Sequence, residues 1–441
     1  MTELKQALRL PHATAMVVGT IIGASIFVQP SEITGHVPSA GGIFTAWIVS
    51  GALTLAGALV CAELASAYPR TGGVYVFLRE AWGPPVGFLW GWAMFWSMHS
   101  GIIAAIATVF ARYAAAFLPL GDTGVRLVAV GAIVALSAIN YVGVEHGSRL
   151  QTAFTVGKLA AIVAIVALGF ALPVRHPVAA VDAAPVVFGF QDLALAVAAG
   201  LFAFGGWHMV TYTAGETADA RRTIPIALGA GTLVVTVCYL ALNAVYLHVL
   251  PVATVSSSTR VAADAADALV GSGGAGIMSA LVMFSAFGGL AGIVLVGPRV
   301  YYSMARDGLL FGWAGEVHPR FRTPHRAIAL QAVWASVLVL TGTYRALFTR
   351  VVYTEWIFFA LMAAGLVVLR RRPGYAPAYR VWGYPILPAA FVLSSALIVV
   401  NQIVSQPSES ALGLLIVGIG WPVYLVWTRL RHGQKPRTHN S

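Results

Sequence analysis

Charged residues are scarce in this chain: 10% of its 441 residues are Asp, Glu, Lys or Arg, whereas 59% are hydrophobic. A soluble domain carries about 25% charged residues, so this composition excludes one and indicates an integral membrane protein. The short segments of alternating polarity that typify a membrane β-barrel are also missing. Apolar runs of about 20 residues alternate instead with short polar connections, and a helix needs that length to cross the hydrocarbon.

Cysteine is equally rare, with Cys61 and Cys238 both inside apolar runs. Two such residues exclude a disulfide framework and predict reduced packing side chains. The net charge of +11 is spread along the chain, which favours basic cytoplasmic loops over a nucleic-acid partner. The sequence also lacks a nucleophile–base pair, a metal-ligand cluster and a phosphate-binding loop. We therefore expect neither an enzyme nor a cofactor.

Twelve transmembrane helices are predicted from the apolar runs. We expect a single transmembrane domain over residues 1–430, followed by a basic cytoplasmic tail at 431–441. Lys and Arg concentrate in the connections on one side, which predicts both termini in the cytoplasm. The predicted spans are 13–34, 41–67, 85–112, 126–144, 153–173, 191–213, 224–250, 274–303, 327–343, 351–370, 384–403 and 410–430.

Glycine interrupts two of these apolar runs, at residues 19–27 (GTIIGASIF) and 202–207 (FAFGGW). A broken membrane helix frees backbone groups that lipid cannot satisfy, so such a break must line a cavity or be covered by protein. Because Gly23 and Gly205 fall at equivalent points of the first and sixth spans, we predict two five-helix repeats, approximately 13–173 and 191–370. An odd number of spans inverts the second repeat, and both breaks then meet at mid-membrane.

The first break predicts a binding site for a zwitterion. Freed N–H groups of Gly23, Ala24 and Ser25 are suited to a carboxylate, and a carbonyl such as that of Ile21 is suited to an ammonium group. A second interpretation remains open, in which Gly19 and Gly23 form a small-residue face that packs on a neighbouring helix.

The second break offers the carbonyls of Phe202, Ala203 and Gly205 to the same ammonium group, with the Phe202 ring as a gate. The alternative is a glycine notch against which aromatic rings pack. His208 follows directly, and it either faces the pocket or is a packing histidine.

Lys158 is the one lysine within a predicted span. An ionisable residue inside the membrane indicates function by default, so Lys158 is predicted to exchange a proton or to replace a bound sodium ion. The alternative is a lysine that snorkels to the cytoplasmic surface. Glu63 and Glu216 are expected to pair with Arg70, Arg79 or Arg222 as an inner gate. Glu355, near the outer end of the tenth span, receives no role.

These residues resemble bacterial members of the amino acid–polyamine–organocation (APC) superfamily, close to its L-type amino acid transporter branch. The matching segments are 19–27, 62–64 (AEL), 68–75 (YPRTGGVY), 154–159 (FTVGKL), 202–207, Glu216 with Arg222 and Pro225, 303–308 (SMARDG) and 379–385 (YRVWGYP).

The resemblance implies an all-α membrane protein with the LeuT-type fold, ten core helices as a 5+5 inverted repeat plus two, twelve spans in all. It implies that Ala24 and Ser25 bind the substrate carboxylate and that Ile21, Phe202 and Gly205 bind the amine. Lys158 then occupies the place of a sodium ion and contacts the first and eighth spans.

Two positions depart from the family pattern. Ser25 replaces a usual glycine and narrows the first break, and His208 replaces the asparagine of eukaryotic L-type relatives. The predicted external loop 113–125 lacks cysteine, so no disulfide-linked accessory subunit is expected.

The sequence therefore predicts an inner-membrane permease for neutral L-amino acids, working as an exchanger or a proton-coupled symporter. Its expected partners are a small amino acid substrate and the lipid bilayer. A carrier for cationic amino acids or polyamines is one alternative, although it would require a carboxylate in the pocket. A channel is the other, because broken helices also build filters.

Overall fold

The computed structural model describes residues 4–23, 25–27, 29–174, 188–271, 273–343 and 353–433. Regular structure within these ranges is helical, apart from an isolated β-bridge between Leu8 and Thr217. The helices of the first half are α1 (Leu10–Ile21), α2 (Gln29–His36), α3 (Ala40–Ala67), α4 (Val74–Trp82), α5 (Pro84–Trp96), α6 (Met98–Ala114), α7 (Asp122–Val142), α8 (Val144–Ala171) and α9 (Phe190–Ala203).

The second half continues in the same way, and short 3₁₀ segments lie between some of its helices. The helices are α10 (Ala220–Val249), α11 (Val252–Ser257), α12 (Val261–Val270), α13 (Gly274–Val296), α14 (Pro298–Arg306), α15 (His325–Thr341), α16 (Thr354–Arg370), α17 (Ile386–Ser405), α18 (Pro407–Gly418) and α19 (Gly420–Gly433). The 3₁₀ segments of the chain are Ser25–Phe27, Trp207–Glu216 and Gly312–Gly315.

The all-helical membrane architecture predicted from the apolar runs is confirmed. Nine helical segments of the described ranges are long and apolar enough to cross a membrane, and they coincide with predicted spans 2–8, 11 and 12. The shorter apolar helices α1 and α15 fall on the first and ninth predicted spans, and α16 falls on the tenth. The count of twelve spans stays a prediction.

Some short helices lie where the sequence predicted connections. The helix α4 follows the second predicted span and buries one apolar face, including Val74, Phe77, Leu78 and Ala81. The spacing of these residues by three and four positions is typical of an amphipathic helix. The helices α11 and α12 follow the seventh span in the same manner, and we did not predict them.

The helix α14 begins with a proline, and Gly297 separates it from α13. Pro298 has no N–H, so the Val294 carbonyl cannot receive its usual helical hydrogen bond. The side-chain amide of Gln331 on α15 donates to that oxygen at 3.1 Å. The Val294 carbonyl therefore has its partner on a neighbouring helix, as a buried carbonyl requires.

The first interrupted helix and the 3₁₀ half of the second lie in the interior of the helix bundle. Every residue of α1 from Ala15 to Ile21 is buried, and the helix packs against α8, α10 and α13. The second interrupted helix packs against α2 and α3 through α9, and against α1 and α10 through its 3₁₀ half. This packing places the breaks side by side.

Candidate functional site

The first break begins where α1 loses its helical backbone. Ile22 adopts an extended conformation (φ −72°, ψ 91°), and a 3₁₀ turn follows at Ser25–Phe27. Gly23 lies between them, whereas Ala24 is outside the described residues. A helix that ends in this way leaves its last carbonyls without helical partners.

The second break needs glycine for its geometry. After α9 ends at Ala203, Gly206 takes φ +102°, a left-handed conformation that a Cβ would strain. A Cβ at Gly206 would also lie 3.0 Å from the Thr20 carbonyl oxygen on α1. The glycine thus serves both the turn and the close approach of the two broken helices.

Direct contacts join the two breaks. The Thr20 hydroxyl oxygen lies 3.2 Å from the Gly206 carbonyl oxygen, and the Ser25 hydroxyl lies 3.5 Å from the Ala203 carbonyl oxygen. From α10, the buried Tyr239 hydroxyl lies 3.2 Å from the Ile21 carbonyl and 3.0 Å from that of Ala203. The hydroxyl therefore lies within hydrogen-bond distance of one carbonyl from each break, and its single proton can be donated to either of them.

Side chains from surrounding helices satisfy the carbonyls freed by the first break. Lys158 on α8 donates to Gly19 at 3.1 Å and to Ile22 at 2.6 Å. The Ser285 hydroxyl on α13 donates to Gly23 at 3.1 Å. Polar groups otherwise stranded in an apolar interior are thus paired.

Lys158 is buried, with 2% of its surface exposed. Its ammonium group does not snorkel to the cytoplasmic surface as the alternative interpretation required. A Cβ at Gly288 would lie 2.9 Å from its Cε, and one at Gly289 would lie 3.7 Å from Nζ. Lys158 therefore contacts both the first and the eighth predicted spans, and its charge lies at the negative end of the α1 dipole.

The remaining predicted residues of the second break differ in their surroundings. Phe202 is 45% exposed, while Gly205 forms part of the turn through a hydrogen bond from its N–H to the Phe202 carbonyl at 3.2 Å. His208 is 1% exposed, and its Nε2 lies 3.5 Å from Oε1 of Glu355 on α16. The sequence did not predict this neighbour, because no local pattern links the two segments.

The predicted partners of Glu63 are wrong. Glu63 accepts two hydrogen bonds from Arg370, at 2.8 and 2.6 Å, and one from the Val381 N–H at 2.7 Å. Arg70 and Arg79 bond to Glu80 instead. The predicted pairing of Glu63 rested on arginines close to it in the chain. The observed pairing with Arg370 results from the packing of α3 against α16.

The predicted pairing of Glu216 is also wrong. Its carboxylate forms a bidentate ion pair with Arg299 on α14. The Arg299 Nε and Nη2 atoms donate to its two oxygens at 2.6 and 2.8 Å, and both side chains are fully buried. An arginine inside the eighth predicted span was a signal that the sequence analysis overlooked. The Glu216 carbonyl also accepts the N–H groups of Ala7 and Leu8, so the N-terminal segment is attached at this point.

Cys61 and Cys238 are free thiols, as predicted. Across the described ranges, no group of three or more His, Cys, Asp or Glu side chains is placed to hold a metal ion.

Comparison with known proteins identifies the family of this bundle of interrupted helices. Residues 8–425 match the amino acid permease family. The chain belongs to this family. The permease is 32% identical over 425 residues to the serine/threonine exchanger SteT of Bacillus subtilis (strain 168), with 96% of each chain covered.

Mammalian relatives are similar over nearly the same length. The permease is 29% identical over 444 residues to the large neutral amino acids transporter small subunit 2 of Homo sapiens, covering 98% of this chain and 82% of the relative. It is 29% identical over 437 residues to the Asc-type amino acid transporter 1 of Mus musculus, covering 96% and 81%. The resemblance to the APC superfamily is confirmed.

Proposed function

We propose that this permease moves neutral L-amino acids across the cytoplasmic membrane by alternating access, as an exchanger. The observation that supports this most directly is the contact between two broken helices in the interior of a membrane protein. A substrate held between them can be released to either side when the surrounding helices rock. The serine/threonine exchanger among its relatives supports exchange over symport.

The substrate carboxylate binds at the first break in this proposal. The N–H groups of Gly23 and Ser25 follow the end of α1, and free N–H groups suit an anion. Ala24 lies outside the described residues, so its N–H group is assigned to this site from the sequence alone.

The substrate ammonium group binds the carbonyls of Ile21 and Ala203, together with those of Phe202 and Gly205. In the described conformation the Tyr239 hydroxyl bridges two of these oxygens, those of Ile21 and Ala203. An ammonium group has three donors, so it can replace that hydroxyl and draw the two breaks together. The Phe202 ring, which is partly exposed, closes over the bound substrate as a gate.

Lys158 in its protonated form acts as a cation in the place of a sodium ion. Its two hydrogen bonds to α1 tie the first broken helix to α8. Loss or gain of a proton there would loosen or restore this tie, so the same residue can couple transport to pH.

The architecture proposed is the LeuT-type fold with twelve spans, with inverted repeats at 13–173 and 191–370 and two further spans at 384–430. The equivalent positions of the breaks support it. We place the protein in the bacterial inner membrane with both termini in the cytoplasm, on the basis of the Lys and Arg distribution. No disulfide-linked subunit is expected, because loop 113–125 lacks cysteine.

Counterflow in proteoliposomes tests this function. Vesicles are loaded with unlabelled L-amino acids one at a time, and uptake of a radiolabelled neutral amino acid is measured over a concentration series. We expect saturable uptake that is stimulated at least about tenfold by an internal neutral amino acid, because the carrier returns faster when loaded. Stimulation by internal arginine or spermidine alone would favour the cationic carrier, and leak that never saturates would favour a channel.

A further inference from the structure

Two ionisable side chains that the proposed cycle does not use meet beside the second break. His208 follows Gly206 by two residues, and Glu355 is the second residue of α16. Nε2 of His208 lies 3.5 Å from Oε1 of Glu355, where the side chains are 1% and 16% exposed. In this His208–Glu355 pair the imidazole is enclosed, and the Glu355 side chain is largely buried.

We expect the imidazole and the carboxylate to share one titratable proton, so that the pair carries no net charge. Among the described residues, His208 is the ion-pair partner of Glu355. Other titratable groups nearby are Tyr212, in the same 3₁₀ segment, and His99 on α6, which bonds to the Ile293 carbonyl at 3.0 Å. Since an unpaired buried charge is costly inside a membrane, one shared proton is the favoured state.

The imidazole lacks the hydrogen bonds that a buried polar ring requires. Neither ring nitrogen of His208 has a hydrogen-bond partner among the described residues. The contact with Glu355 is longer than a good N–H···O hydrogen bond, which measures about 2.9–3.0 Å. Buried polar atoms left in this way indicate a missing third group, such as part of a ligand.

Aromatic rings limit what that third group can be. The ring centroids of Trp90, Trp207, Tyr212 and Phe359 lie 4.8–6.1 Å from that of His208. They surround the imidazole from α5, from α16 and from its own segment. A short polar group therefore fits better than a long chain.

The position of the pair relates it to the substrate. Gly206 faces Thr20 on α1, whereas the ring of His208, two residues later, faces α5 and α16 through Trp90 and Phe359. The pair therefore lies within a few residues of the second break, on the side of its segment that packs against α5 and α16.

We propose that His208 and Glu355 form the side-chain subsite of the transported amino acid and that they recognise a single hydroxyl group, as serine and threonine carry. This inference rests on the proposed function. A hydroxyl donates to the carboxylate and accepts from the imidazole N–H, so it supplies a hydrogen-bond partner to both side chains at once. The neutral pair offers no counter-charge to a lysine or glutamate side chain, and a methyl group leaves both partners unpaired.

Threonine and valine have the same shape and differ by this hydroxyl, so counterflow of the two measures the subsite. For the wild-type protein we expect kcat/KM for threonine to exceed that for valine by at least about 100-fold, because a site built around a hydroxyl rejects its isostere strongly. We expect O-methyl-L-serine to compete at least about tenfold more weakly than L-serine, because it cannot donate. Both measurements use the unmodified protein.

Variants then assign the preference to the two residues. Glu355→Leu and His208→Leu are expected to lower the threonine-to-valine ratio at least about tenfold. Glu355→Gln keeps a donor and an acceptor and is expected to retain most of the preference. Glu316→Leu is the matched control, because Glu316 pairs with Arg326 at an exposed site, and its ratio should equal that of the wild type.

Several results would overturn the subsite without touching the proposed function. They are equal transport of threonine and valine, equal competition by serine and its O-methyl ether, or an unchanged ratio in monodisperse leucine variants. A pH profile that moves while the ratio stays constant would identify a proton site instead. Absence of all amino acid counterflow in the wild type would contradict the proposed function itself.

Discussion

Nζ of Lys158 lies 2.6 Å from the carbonyl oxygen of Ile22, the residue at which α1 stops being helical. The lysine thus holds the edge of the first break from a separate helix, α8. A lysine buried in an apolar interior is expensive, and the carbonyls of a broken helix offset that expense. The buried ammonium group therefore needs the carbonyls of the break, and those carbonyls need the ammonium group as a donor.

Replacing this lysine tests the dependence. Lys158→Ala leaves the carbonyls of Gly19 and Ile22 without their donor, at a cost of about 1–3 kcal/mol for each unsatisfied group. We expect counterflow per folded protein to fall at least about tenfold, a larger loss than that in the amount of folded protein in the membrane. Lys5→Ala is the control, since Lys5 is exposed and pairs with Glu145. Wild-type flux at every pH tested would remove Lys158 from the mechanism.

The hydroxyl of Tyr239 can be tested against a matched tyrosine on the same helix. Tyr239→Phe removes the group shared by the Ile21 and Ala203 carbonyls, and we expect counterflow to change about tenfold, as loss of a buried hydrogen bond of 1–2 kcal/mol implies. Tyr246, two turns later, is equally buried, and its hydroxyl has no hydrogen-bond partner among the described residues. Tyr246→Phe should therefore leave transport unchanged, and equal effects of the two variants would argue against a bridge.

Ser25 is expected to restrict the size of the substrate. Its hydroxyl approaches the Ala203 carbonyl of the opposite break, so Ser25→Gly removes a Cβ from the gap between them. We expect the variant to accept larger neutral amino acids in a competition panel. Ser31→Gly is the control, because its hydroxyl bonds to Ser256 outside the breaks. A panel identical to that of the wild type would show that serine does not act as a size filter.

The buried ion pair of Glu216 and Arg299 is expected to behave as a coupled unit. Removing one member leaves an uncompensated charge, so Arg299→Met or Glu216→Gln should lower the free energy of unfolding by about 3–5 kcal/mol. The double variant should be more stable than the sum of the two losses predicts. Unfolding of the purified protein in detergent measures the cycle, and additive losses would contradict coupling.

Helical content and the positions of the breaks followed from local chemistry. Runs of apolar residues must form helices in lipid, since each backbone group needs a partner within its own segment. Glycine at positions 23 and 205–206 weakens that pattern, and the structure interrupts both helices there. The helices α4 and α12 were missed because their amphipathic pattern is short, and short apolar patterns carry little information.

Contacts between distant segments did not follow from the sequence. Glu63 and Glu216 were paired with arginines near them in the chain, but they bond to Arg370 and Arg299. Tyr239 and Ser285 bear no local signature of their contacts with the first break. A single sequence contains no record of which helix faces lie together, so such partners remain invisible until the helices are packed.

The sequence alone determined that this protein is a helical membrane protein with two interrupted helices, because lipid solvation and glycine act locally along the chain. The tertiary structure decided which groups lie at the breaks: Lys158 of α8 at the end of α1, Tyr239 between both breaks and Glu355 beside His208. Those contacts depend on helix packing, which brings together groups as distant in the chain as the Lys158 side chain and the Ile22 carbonyl. Local sequence patterns contain no information about such pairs.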